Sequence, residues 1–232
     1  MRSFFDRKTF IIYVMIFAVF FLMPLYGNQI VTTLAESQTI HNYVIIDAGH
    51  GGVDGGAVSC TGAYESNINL EIALKLNDLM RLLGIRTVMI RQTDCSVYTN
   101  GETIAAKKIS DIKERVRIVN STPNAILLSI HQNNFHDSRY SGAQVFYSAH
   151  ADSRDLAEKM QSSFRSNLNP MNKRSIKRSS GVYLMEHTNC PGILVECGFL
   201  SNPEEEAKLR NHAYQTKICS VISTTISQYL NT

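Results

Sequence analysis

The sequence has no C-x-x-C pair, no H-E-x-x-H, no G-x-S-x-G, no G-x-G-x-x-G and no P-loop lysine. These absences close off a zinc finger or thioredoxin-like motif, a helix-borne metalloprotease site, a serine nucleophile elbow and a nucleotide-phosphate loop. Charge is scarce as well, at 19% of 232 residues with a net of +3, far from the positive excess of a nucleic-acid binder. Nucleic acid is therefore not an expected partner. Only five prolines interrupt a chain that is 44% hydrophobic, a composition that folds around a core rather than staying disordered. Five cysteines, Cys60, Cys95, Cys190, Cys197 and Cys219, are scattered without a pairing pattern. The odd number leaves at least one free unless it pairs with another chain, and each reads as a small buried hydrophobe. Internal repeats and low-complexity tracts are missing too.

A long apolar run is present at the N-terminus. Arg2, Arg7 and Lys8 precede an apolar stretch from Phe10 to Met23 that continues past Pro24 to Tyr26. A positive flank before an apolar core is the pattern of a secretory signal or an uncleaved membrane anchor. The run is short of the roughly 20 residues of a spanning helix, and Ala35 in "TTLAES" offers a weak cleavage point. The expected organisation is a signal or anchor over 1–26, a tether over 27–42 and a single domain over 43–232.

From Tyr43 the pattern alternates. A strand over Tyr43 to Asp47 runs into glycines, and Tyr64 to Leu83 follows as a helix with Ile68, Ile72, Leu76, Leu79 and Leu83 on one stripe, stopped by Gly84. Further strands are expected over Arg86 to Arg91, the continuous apolar run Ala125 to Ile130, "GAQVFYS", "VYLM" and "ILVEC". Helices are expected around Ile109 to Val119, over Ser153 to Leu168, and from an Asn202 cap through "PEEE" to Leu230. Strands alternating with helices imply an α/β domain whose mostly parallel sheet is covered on both faces. The basic run Lys173, Arg174, Lys177 and Arg178 reads as a solvated loop, with the holding of an anionic polymer as the alternative.

Open α/β sheets assemble sites beyond the carboxyl ends of their strands. His50 follows the first strand inside "VIIDAGHGG", His131 follows "AILLSI", Glu196 ends "ILVE", and Glu65 opens the first helix. All four fall on one edge. Two histidines and a carboxylate make a catalytic zinc set with a fourth position open, and Glu65 at a helix N-terminus is kept ionised by the dipole. Glu196 is then free to act as base. His41, His136, His150, His187 and His212 read as structural, and Glu71 and the "PEEE" run as solvated helix surface. Two rivals stand beside this reading: a thiol hydrolase using Cys197 with His131, and a non-catalytic, membrane-tethered binding protein.

Three stretches, "VIIDAGHGGVDGGAVSCTGAYE", "SIHQNN" and "GILVECGFLSN", resemble in order and spacing the zinc-dependent N-acetylmuramoyl-L-alanine amidases of bacterial cell walls. "RQTD" and "ERVRIVN" look like intermediate motifs of the same family, and the resemblance spans about Tyr43 to Leu230. It implies a three-layer α/β/α sandwich, His50, Glu65 and His131 as ligands of a Zn2+ ion, and Glu196 as the catalytic glutamate. The implied reaction is hydrolysis of the amide joining the lactyl group of muramic acid to the L-alanine of the stem peptide of peptidoglycan. Ala48 and Gly55 stand where the family commonly has proline, and Gln132 where it has a small or apolar residue; none of these removes a ligand. An N-terminal hydrophobic segment with a bare amidase domain is similar to the spore-cortex amidases, whose product leads on to muramic-δ-lactam. That likeness implies action outside the cytoplasmic membrane, secreted or anchored, in the forespore intermembrane space. With no wall-binding module expected, the domain depends on its anchor or on an accessory exported protein for substrate access or metal retention.

Overall fold

A computed structural model describes Phe17 and residues 43–231. Apart from Phe17, the hydrophobic segment and the tether, with Ala35 and His41, lie outside the described residues. Six strands form one sheet: β1 (Tyr43–Ala48), β2 (Thr87–Met89), β3 (Ala125–Asn133), β4 (Gln144–Tyr147), β5 (Lys177–Arg178) and β6 (Gly192–Phe199). Their order is β2-β1-β3-β6-β4-β5. The ladders β2-β1, β1-β3, β3-β6 and β4-β5 are parallel, and β4-β6 alone is antiparallel. The helices are α1 (Glu65–Leu82), α2 (Ile104–Ser121), α3 (Ser153–Asn167), α4 (Tyr183–His187), α5 (Pro203–Leu209) and α6 (His212–Leu230).

The strands are apolar on both faces because both are covered, as expected for a mostly parallel sheet. Val44, Ile46, Ile126, Leu128, Ile130, Ile193 and Val195 point into a core completed by α1, α3 and α6. Ile45, Leu127 and Leu194 point the other way, into a smaller core with Val119 of α2 and Leu184 and Met185 of α4. Helix, sheet and helix are the three layers anticipated. Side chains alternate with period two along a strand. The smaller-core face therefore continues from Ile45 to Asp47, from Leu127 to Ser129 and His131, and from Leu194 to Glu196. Toward the carboxyl edge of the sheet, that face turns from apolar to polar.

Several elements differ from the sequence expectation. "VYLM" is not a strand: Tyr183–His187 is a short helix, and the edge strand is instead Lys177–Arg178, inside the basic run. A short apolar tetrapeptide does not separate the two periods. The last helix is two helices, because Asn211 accepts from the amides of Ala213 and Tyr214 and so caps a new start. On α1 the buried stripe runs through Ile68, Ile72, Leu76 and Met80, while Leu83 is exposed. Gly84, at φ +77°, ends that helix in a Schellman arrangement, with Gly84 N donating to Arg81 O and Ile85 N to Met80 O. Finally, β3 runs past its expected end, so His131 lies within that strand, as Glu196 does in β6 where it was expected.

Candidate metal centre

The bend after β1 sets the position of His50, whose φ of +62° is left-handed, a conformation uncommon for a residue with a Cβ. Buried cations hold it there. Arg115 on α2 donates through Nη1 to Ala48 O (3.0 Å) and through Nη2 to His50 O (2.6 Å), and pairs with Asp47 and Asp111. Arg91 donates to Ala48 O (2.8 Å) and Gly49 O (3.0 Å), and to the carbonyls of Ser66 and Thr93. Three successive carbonyls of the bend thus end on guanidinium groups. Asp47 also accepts from Ser129 Oγ at 2.6 Å. Burial opposes the Asp47 charge, but Arg115 and Ser129 overcome it and hold the carboxyl below its ordinary 3.8.

Glycine is required where the two histidines approach. A Cβ on Gly49 would lie 2.2 Å from the His131 ring, and one on Gly56 would lie 2.7 Å from both Glu65 Oε2 and His50 Cδ2. Here is the reason a histidine sits among glycines: the backbone leaves room for a second imidazole and a carboxylate.

The two imidazole centroids are 5.0 Å apart with planes at 78°. His50 Nε2 is 3.2 Å from Glu65 Oε2, and His131 Nδ1 is 2.9 Å from Glu65 Oε1. One ligand atom from each of His50, Glu65 and His131 lies within 4.8 Å of the others. Glu65 is the first residue of α1 and is also fixed by the amides of Ala57 (3.0 Å) and Gln132 (3.1 Å) and by the Asn69 side chain. Burial works against its charge, yet the two histidines hold its carboxyl far below the usual carboxylate range. His50 Nδ1 faces Asp54 Oδ2 at 2.8 Å, and Asp54 in turn meets Lys108. Burial lowers the His50 pKa, but Glu65 and Asp54 outweigh it and raise it to about 9.

Glu196 stands directly opposite His131 in the β3-β6 ladder, on strands about 4.8 Å apart and on the same face. Its Oε2 is buried with no hydrogen-bond partner among the described residues. Burial, with Glu65 adding to it, pushes its carboxyl up to about 7 despite the two histidines. The fourth residue is thus an acid without a structural task, beside three groups that converge.

All four sequence-selected residues therefore occupy one edge. Asp54, Asn69, Arg91 and Arg115 support them and went unassigned from sequence, although "RQTD" and "ERVRIVN" contain both arginines. Cys197, the nucleophile of the thiol-hydrolase alternative, is instead buried in the larger core with its thiol pushed up by desolvation, which removes it from that role. All five cysteines are free. Of the residues read as solvated surface, Glu206 is instead buried and accepts from Ser59 Oγ at 3.1 Å.

The set fits a zinc ion. Two nitrogens and one carboxylate oxygen converge from separate elements, the number and kind of protein ligands found in catalytic zinc sites. Comparison with known proteins decides the family, since the model described as N-acetylmuramoyl-L-alanine amidase matches residues 44–228. The chain belongs to the N-acetylmuramoyl-L-alanine amidase family. As an amidase it hydrolyses the bond between N-acetylmuramic acid and L-alanine in peptidoglycan, a substrate outside the cytoplasm. It is 35% identical over 188 residues to the germination-specific N-acetylmuramoyl-L-alanine amidase of Bacillus subtilis, covering 80% of this chain and 78% of that one. The amidase LytC of the same organism is 29% identical over 84% of this chain but 37% of its own length. Among solved structures, the CwlD amidase from Clostridioides difficile, in complex with the GerS lipoprotein, is 36% identical with a TM-score of 0.79, covering 82% of this chain and 98% of that one. An N-acetylmuramoyl-L-alanine amidase from Clostridium difficile 630 is 30% identical with a TM-score of 0.74, covering 84% and 99%.

Proposed function

We propose that this amidase works with His50, Glu65 and His131 as the ligands of a zinc ion and Glu196 as its proton-transfer residue. One observation carries the reading: three ligand atoms within 4.8 Å of one another, with an unpartnered carboxylate opposite His131 in the next strand. A zinc ion held there supplies Lewis acidity, which brings amide hydrolysis to near-neutral pH. The protein does the rest. Glu196 Oε2, buried and without a hydrogen-bond partner among the described residues, takes a proton from the attacking water and delivers it to the departing L-alanine nitrogen. Asp54 orients the His50 ring through Nδ1, and the arginine-held bend keeps that ring aimed.

The biological setting is also a proposal. Likeness to a germination-specific amidase supports a role in the spore cortex, where stripping peptides from muramic acid is a step toward muramic-δ-lactam. The complex of CwlD with GerS supports an accessory exported protein as partner, and the apolar N-terminal segment supports attachment to the membrane.

The test is release of new L-alanine amino termini from purified wall sacculi. A chelator abolishes the release and added zinc restores it, while a thiol-blocking reagent leaves it intact. Activity that persists through chelation contradicts the proposal.

A further inference from the structure

On the same edge of the sheet as Glu196 lies a cation with no part in the proposed hydrolysis. Arg174 belongs to the basic run that ends in β5, and unlike its exposed neighbours Lys173, Lys177 and Arg178 it is built into the fold. Its Nε donates to Ser141 O and its Nη1 to Gln144 Oε1, each at 2.9 Å. The guanidinium lies 4.4 Å over the Phe199 ring and 5.7 Å from that of Tyr140. Gln144 is the residue paired with Glu196 in the β4-β6 ladder. Arg174 is therefore fixed to the side chain next to the proposed proton-transfer residue, at the same edge of the sheet.

Its guanidinium has no direct ion-pair partner. Arg115 is neutralised by Asp47 and Asp111, whereas no carboxylate lies within ion-pair distance of Arg174 among the described residues. The acid whose field it feels is Glu205, and both oxygens of Glu205 already accept from the amides of Gly142 and Phe199. Two of the five guanidinium N–H donors are used, in a plane stacked over Phe199, which leaves one N–H of Nη1 and both of Nη2 to meet a carboxylate. Partial burial lowers the Arg174 pKa, and Glu205 offsets this only in part. Tyr140 and Phe135, 45% and 42% exposed with ring centroids 4.8 Å apart, supply an apolar wall along the same rim.

We propose that Arg174, braced by Phe199 and Gln144 beside Glu196, binds a carboxylate of the stem peptide and so sets which peptides the amidase accepts. The inference rests on the amidase reading for its choice of substrate. Substrate chemistry selects the peptide over the glycan. N-acetylated sugars are neutral, and the lactyl carboxyl is consumed in the scissile amide, so the anionic groups of the uncut substrate lie on the peptide.

The experiment compares matched muropeptides whose stem carboxylates are free or amidated, using the wild type, Arg174→Gln and Arg174→Lys. Specificity constants are measured for turnover, and dissociation constants in a Glu196→Gln background that does not consume the ligand. The wild type prefers the free form by about tenfold or more, the range of a charge-assisted pair. That preference collapses to about one in Arg174→Gln and survives in part in Arg174→Lys. A wild type indifferent to amidation, or an Arg174→Gln variant that keeps the preference, overturns the proposal. If Arg174→Gln does not fold, the wild-type preference and its loss in Arg174→Lys at raised salt decide the matter. Absence of turnover on both ligands instead strikes the amidase site, and the dissociation constants still judge Arg174 by themselves.

Discussion

On one face of the sheet, Val44, Ile46, Leu128, Ile130 and Val195 meet the apolar stripes of α1, α3 and α6. On the other, the same strands run from Ile45, Leu127 and Leu194 into Asp47, Ser129, His131 and Glu196. The first face is built to exclude water, and its stability scales with apolar area buried. The second ends in buried charge, which is costly unless paired and hydrogen-bonded. Asp47 and Arg115 are so paired; Glu196 is not. His131 and Glu196 thus lie at the polar end of the smaller-core face, Glu65 reaches them from α1 of the larger core, and Arg91, donating to Ala48 O, Gly49 O and Ser66 O, ties the two sides together.

Three substitutions sharpen that contrast. The largest expected effect is at Arg115→Met, which leaves the Asp47 carboxylate buried without its cation and frees the His50 carbonyl. A loss of about 3–5 kcal/mol is expected at pH 7, with zinc affinity falling in the molecules that remain folded. Denaturant melts and a competing zinc chelator read the two quantities. The sign of the pH dependence follows from Asp47. Its folded pKa lies below 3.8, so the pair's contribution is complete above about pH 4 and is lost as the pH falls below it. The deficit of the variant therefore narrows in acid. Next is Leu76→Ala in the larger core, expected to cost about 2–5 kcal/mol while zinc affinity per folded molecule stays at the wild-type value. A loss of zinc binding there would break the division between the faces. The smallest effect is at Lys108→Ala: its pair with Asp54 is half-exposed, and less than about 1 kcal/mol is expected in the same melts.

Much of this was legible in the sequence because the site residues are attached to strong periodic signals. His50, His131 and Glu196 follow apolar runs, and Glu65 stands where a helical stripe begins, so the carboxyl edge of the sheet collects them. Supporting residues carry no such signal. Arg115 lies within an amphipathic helix whose exposed positions are also charged, and only its ion pair with Asp47, 68 residues away, distinguishes it from them. Glu206 looked like one of three acids on a solvated turn, yet a loop 147 residues away fills its oxygen. The break at Asn211 was hidden because polar residues on both sides fit either one helix or two, until the cap is seen. Arg174 shared its run with three solvated cations, and only its hydrogen bonds to Ser141 O and the Gln144 side chain set it apart from them.

The most direct test of the central claim is to measure metal content and turnover together in two purified variants. Glu196→Gln is expected to bind one zinc per chain as the wild type does while losing hydrolysis by about a hundredfold or more, and His50→Ala to lose zinc and hydrolysis alike. Turnover at the wild-type rate in Glu196→Gln, or full zinc content in His50→Ala, would contradict the account.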